Sequence, residues 1–170
     1  MGGIECILVA PGAGIRTLCE MDRIDRALLS RLQEDSRGTA DRLGEELGLS
    51  RSAVTRRIQK LSQEGIIARE VAVLGDAVRA ARVTAIVNVQ FDRHSPGEAD
   101  RFRRVIRALP EVQLFVEITG ASDALLLVSV RDMDHFNIFS DELASMSFVR
   151  RYETSFVKRT LKFTTAVPLE

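Results

Sequence analysis

A chain of 170 residues with 45% hydrophobic content can bury one large core or two small ones, which excludes wholesale disorder. Its 24 Lys and Arg balance 24 Asp and Glu, so no global field draws it to nucleic acid or anionic lipid, and any such binding must come from a local patch. Its two cysteines, Cys6 and Cys19, lie in the first twenty residues, too few and too terminal for a disulfide framework or a metal site, which fits a reducing cytoplasm.

The chain opens with MGGIECILVAPGAGIRTLCE. The apolar run Ile7 to Ala10 has Glu5 beside it and no basic residue before it. It therefore reads as neither a signal peptide nor a membrane span, since a span needs about 20 apolar residues. Glycines and Pro11 without periodicity make residues 1–20 a flexible extension, with Met21 the expected initiator of the native protein.

From Met21 the texture changes. MDRIDRALLSRLQED sets Ile24, Leu28 and Leu32 at helical spacing, with Leu29 filling the stripe and Asp22 placed as cap. After the SRG break, Thr39 can cap a second helix with Leu43 and Leu47 one turn apart, and Gly48 ends it where a positive φ costs little. Ser50 caps a third helix from Arg51 to about Gln63, stopped by Gly65. Two helices meeting through so short a turn predict a helix-turn-helix.

Steps of about 100° around the third helix put Val54, Ile58 and Leu61 in one arc and Ser52, Arg56 and Gln59 opposite, flanked by Thr55 and Lys60. Arg51, Arg56, Arg57 and Lys60 form a cluster with no acidic residue before Glu64. A solvated face mixes signs to form i,i+4 pairs. This one instead carries hydroxyls, an amide and cations, which reach base edges and phosphates in a major groove.

IIAREVAVLG reads as an extended segment and completes a winged helix-turn-helix domain over 21–74, with 75–81 as linker and a second domain over 82–170. In that domain Val83 to Phe91 alternates as a strand. SPGE offers Ser95 as cap, Pro96 at the first turn and Glu98 to close a capping box. The helix it opens directs Phe102, Val105, Ile106 and Leu109 inward, and Pro110 ends it. Glu111 to Thr119 and Ala124 to Val130 are strands joined through TGASD. Asp132 or Asp134 starts a helix with Phe136, Phe139 and Leu143 on one stripe, and Phe148 to Leu161 returns as a strand. The order βαββαβ makes the whole an α+β protein whose second domain is ferredoxin-like, with both helices on one sheet face. Cover for the other face is expected from a second copy of the chain.

MDRIDRALLSRLQEDSR, LGLSRSAVTRRIQKLSQEGII, PEVQLFVEITGASD and the terminal TAVPL together resemble the Lrp/AsnC family, the leucine-responsive or feast/famine regulators of bacteria and archaea. The resemblance covers nearly everything from Met21 to Leu169. It implies a sequence-specific transcriptional regulator that binds a palindromic operator in double-stranded DNA and works as a homodimer or higher oligomer. A small-molecule effector, an amino acid in most relatives, is expected at a subunit junction. On matching positions the resemblance makes Ser50, Arg51, Ser52, Thr55, Arg56, Arg57, Gln59 and Lys60 the DNA-facing set. The family's glycine-x-x-aspartate turn falls on Gly120 and Asp123, with Thr119 beside it as an effector residue. Ala124 follows where relatives carry a larger apolar or aromatic residue, and MSFV stands where leucine-proline-glycine-valine is common.

Asp123 has two readings, a partner for a ligand ammonium or a cap on local turn amides. Sirohaem decarboxylases share this two-domain fold, and an enzyme of that kind would rely on His94 and His135. Neither histidine has a cysteine or second histidine at ligand spacing, and surface or cap positions explain both. A third class is a module that pairs with a paralogue as a hetero-oligomer. No glycine-rich phosphate loop, metal-spaced cysteine pair or nucleophile elbow occurs, so no cofactor, metal or membrane partner is expected.

Overall fold

The computed structural model describes residues 21–92 and 96–169. The extension with Cys6 and Cys19, the capping residue Ser95 and His94 all lie outside the described residues. The chain divides into two compact units, one reaching Ala72 and taking back the tail from Phe163, the other Val73–Lys162.

In the first unit each helix begins where the sequence supplies a cap. Helix α1 (Arg23–Glu34) starts at Asp22, whose side chain accepts from the Asp25 amide. Thr39 caps α2 (Ala40–Leu47) and Ser50 caps α3 (Arg51–Gln63) in the same way. Gly48 at φ 67° ends α2, and Gly65 at φ 73° follows α3. The apolar stripes meet in a core of Met21, Leu28, Leu29, Leu43, Val54 and Leu61, with Leu32 and Ile58 packed at its margin. Each fully buried aliphatic side chain contributes about 2 kcal/mol.

The tail departs from the expected division at 82–170. The Gln33 side-chain amide donates to the Val167 carbonyl at 3.1 Å and accepts from the Val167 amide at 2.6 Å, and Leu169 packs on the helical core. This reciprocal pair satisfies both backbone groups of Val167, so the last residues join the first unit although they follow the second in sequence.

Residues 68–75 have no strand, and Val71, Val73 and Leu74 are exposed. The expected wing is therefore an unpaired segment within this single chain. The linker contains a short helix, α4 (Asp76–Ala80).

The second unit is an antiparallel sheet in the order β2-β3-β1-β4, formed by β1 (Val83–Phe91), β2 (Val112–Glu117), β3 (Ala124–Val130) and β4 (Val149–Phe156). Helices α5 (Pro96–Ala108) and α6 (Met133–Ser145) bury Phe102, Ile106, Phe136, Phe139 and Leu143 against Ala85, Val87, Val89, Leu126 and Val128. The expected inward Val105 is instead exposed. The last strand stops at Phe156 rather than Leu161, because its ladder to β1 ends where Phe156 meets Ala85. Register places Leu114, Leu127 and Ile86 in one row across three strands, with Val116 and Leu125 in the next. These residues alternate with the buried ones and occupy the face opposite the helices.

Candidate nucleic-acid interface

Helix α3 offers an exposed, polar, cationic face. Ser50, Arg51, Ser52, Thr55, Arg56 and Gln59 line one shallow, open concavity. The Ser50 hydroxyl accepts from the Ala53 amide at 3.3 Å and lies 3.2 Å from the Ser52 hydroxyl. Thr55 donates to the Arg51 carbonyl at 3.0 Å, so outward it presents acceptor lone pairs and a methyl group. The side chains of Arg56 and Gln59 make no hydrogen bond or ion pair with any described residue.

The remaining cations have partners on other turns or helices. Arg51 lies 3.5 Å from Asp41, and Lys60 lies 4.0 Å from Glu64. Such exposed pairs are worth about 0–1 kcal/mol, so both cations can exchange a carboxylate for a phosphate at small cost.

Arg57, also in the expected DNA-facing set, is different because the fold ties it to α1. One guanidinium nitrogen donates to Asp22 Oδ2 at 2.7 Å and to Asp25 Oδ1 at 2.6 Å, and the Asp25 side chain is only 6% exposed. Hydrogen bonds to Asp22 and then Asp25 raise the Arg57 pKa above its ordinary value. The Asp25 amide, followed by Arg57, holds the Asp22 carboxyl below its own. Withdrawing Arg57 toward DNA would strand a buried carboxylate, at a cost of about 1–3 kcal/mol or more. The sequence carried a signal for this. Asp25 lies between Ile24 and Leu28, inside the apolar stripe, and a charge there requires a partner.

A second feature missed from sequence is Gly44, buried within α2. A Cβ at this position would lie 2.5 Å from the Leu49 carbonyl oxygen. The same two residues are joined by a 2.8 Å bond from the Leu49 amide to the Gly44 carbonyl. The tight turn between α2 and α3 depends on that approach.

In the second unit, residues 118–123 are pinned to the end of β1. The Asp123 amide donates to the Val89 carbonyl at 2.9 Å, and Gln90 Nε2 donates to the Ala121 carbonyl at 2.9 Å. The β1–β4 register slips between Gln90 and Phe91, and the Phe91 amide donates to Asp123 Oδ2 at 2.9 Å. Asp123 thus reaches across strands to a bulged amide as well as standing in the turn. Thr119 and Gly120 are exposed beside it. Gly120 has φ 128° with nothing near an added Cβ, so strain there is purely conformational. Gly120→Ala is expected to destabilise the second unit by about 1–3 kcal/mol, read by chemical denaturation. A wild-type midpoint would mean the turn relaxes without strain.

His135 occupies a cap position. Its amide and its Nδ1 approach Asp132 Oδ1 at 3.0 and 2.6 Å. The His135 amide, the Arg131 guanidinium and the His135 ring hold Asp132 far below the carboxylate range. Among the described residues no group of three His, Cys, Asp or Glu could hold a metal ion, and no helix is long and apolar enough to cross a membrane.

Comparison with known proteins assigns this architecture. Residues 21–62 match the AsnC-type helix-turn-helix domain, and residues 84–167 match the Lrp/AsnC ligand binding domain. The chain belongs to the Lrp/AsnC family. An HTH-type transcriptional regulator of Sinorhizobium fredii is 33% identical over 89% of this chain and 90% of its own length. The DNA-binding transcriptional activator DecR of Escherichia coli is 32% identical, covering 88% and 99%. An AsnC family regulator from Agrobacterium tumefaciens superposes with a TM-score of 0.80 at 36% identity, covering 88% of this chain and 97% of that one. A Neisseria meningitidis transcriptional regulator solved as an L-Met complex gives 0.81 at 33%, with the same coverage. The Lrp/AsnC family is one of DNA-binding transcriptional regulators, not enzymes, which removes the decarboxylase alternative.

Proposed function

We propose that this regulator reads a palindromic operator through Ser52, Thr55, Arg56 and Gln59, with Ser50, Arg51 and Lys60 holding phosphates on either side. The observation that carries this reading is that Arg56 and Gln59, bonded to no described residue, share one exposed concavity with Arg51 and the hydroxyls of Ser50, Ser52 and Thr55. An arginine fork matches guanine and a glutamine amide matches adenine in the major groove.

Pairing of two chains through the open sheet face would cover Leu114, Val116, Ile86, Leu125 and Leu127 and present two recognition helices. Half-sites should then be spaced by about one helical turn, 10–10.5 base pairs, or a multiple. The tests are sedimentation of the purified full chain in the bacterial cytoplasm's salt range and selection of duplexes from a random pool. A homodimer or multiple of it, enriching a two-fold symmetric site, is the expected result. A monomer would favour the hetero-oligomer alternative, and no enriched sequence would remove the sequence-specific reading.

The turn of Thr119, Gly120 and Asp123 is the proposed effector site, with an amino acid as ligand. The support is a carboxylate held by the fold beside an exposed, tightly pinned loop, together with the methionine bound by the Neisseria relative. Calorimetric titration of L-methionine and other amino acids into the full chain tests it. Asp123→Ala should weaken the responding amino acid by about tenfold, the loss of one charge-assisted contact. An undiminished response would remove Asp123 from the effector site.

A further inference from the structure

The DNA-binding unit contains a three-residue device that does not face the proposed groove. Asp22 uses its two oxygens differently. Oδ1 accepts from the Asp25 amide at 2.7 Å and caps α1, while Oδ2 accepts from Arg57 of α3 at 2.7 Å. Asp25, one turn further along α1 and 4% exposed, accepts from the same guanidinium nitrogen at 2.6 Å. One nitrogen of the recognition helix is thus held between two carboxylates of α1. Arg57 follows Arg56 directly, so the rotation of α3 that seats Arg57 also sets the direction in which Arg56 leaves the helix.

From this geometry we infer that Asp22 and Asp25 are positioning residues for DNA recognition, fixing through Arg57 the rotation of α3 that aims Arg56 and Gln59. The inference rests on the proposed reading of the α3 face. It has an unusual sign. A carboxylate near phosphates repels them, so removing one should strengthen binding if only the field mattered. A positioning role predicts the reverse, because the free energy of a bidentate base contact depends on its direction.

The experiment uses the full chain and the duplex that wild type selects from a random pool. Asp22→Asn keeps an oxygen for the α1 cap but removes one charge that holds Arg57, and Asp25→Asn removes the other, at the buried position. Affinity for the selected duplex and for a shuffled one would be measured at several salt concentrations, with the active fraction determined by stoichiometric titration. We expect Asp22→Asn to lose about tenfold in affinity for the selected duplex and much less for the shuffled one. Its salt slope should remain that of wild type, since no phosphate contact is lost. Arg57→Ala should behave alike, and Arg57→Lys, which restores a cation between the carboxylates, should recover part of the preference.

Equal or tighter binding by Asp22→Asn at full active fraction would overturn the inference. So would a slope that falls by about one for Arg57→Ala, which marks a lost phosphate contact. Loss of active fraction with an unchanged preference would also overturn it, reducing the device to a stability element, and Asp25→Asn repeats the comparison where Asp22→Asn fails to fold. If wild type itself preferred no duplex, the proposed reading of the face would fail first and separately.

Discussion

Gly44→Ala is expected to loosen the helix-turn-helix and remove operator binding. In a helix interior alanine is favoured over glycine by about 1 kcal/mol, so propensity alone predicts a gain. The added methyl would instead lie 2.5 Å from the Leu49 carbonyl oxygen. That oxygen belongs to the backbone of the turn and cannot rotate aside. Relief requires α2 and the start of α3 to separate, weakening the Leu49 to Gly44 hydrogen bond and opening the core around Leu43 and Val54. Overpacking of this kind costs about 1–3 kcal/mol. For a unit of this size the melting temperature should fall by about 10 °C, read by circular dichroism. A variant that melts and binds like wild type would show that the turn has slack.

Arg56→Ala is expected to do the opposite, leaving stability unchanged while sharply weakening binding. Its side chain bonds to no described residue, so its removal should shift folding stability by no more than about 0.5 kcal/mol. At the centre of the proposed face it should account for about 1–3 kcal/mol of operator affinity, tenfold to a hundredfold. The salt dependence identifies the contact. A slope reduced by about one indicates a phosphate, whereas an unchanged slope with relaxed sequence preference indicates a base. Wild-type affinity would remove Arg56 from the interface.

Much of this architecture is local and therefore legible in the sequence. Asp22, Thr39 and Ser50 cap their helices, and Gly48 ends α2, because capping and left-handed conformations depend on residues three or four positions apart. Strand β1 and helix α3 span the expected residues for a similar reason, since apolar periodicity is itself a local record of burial. What failed depended on contacts distant in sequence. Arg57 looked like one more cation in a basic run until α1 was folded against it, 35 residues away in sequence from Asp22. The tail looked like part of the second domain until Gln33 took the backbone of Val167. The turn ending at Asp123 was legible, yet the Phe91 amide that donates to that carboxylate sits at a bulge that no spacing rule announces. The α3 face was legible because it is a single helix surface. Which of its cations are committed elsewhere was not.

The most direct test of the central claim, that the exposed face of α3 reads sequence, is a fluorescence anisotropy titration of the full chain. Two duplexes are needed, the one selected by wild type and its shuffled counterpart, in the same buffer at moderate salt. A preference of at least about a thousandfold, typical of specific over non-specific binding, that collapses in Arg56→Ala and Gln59→Ala is the predicted result. Equal binding of both duplexes, or a preference that survives loss of both side chains, would contradict it.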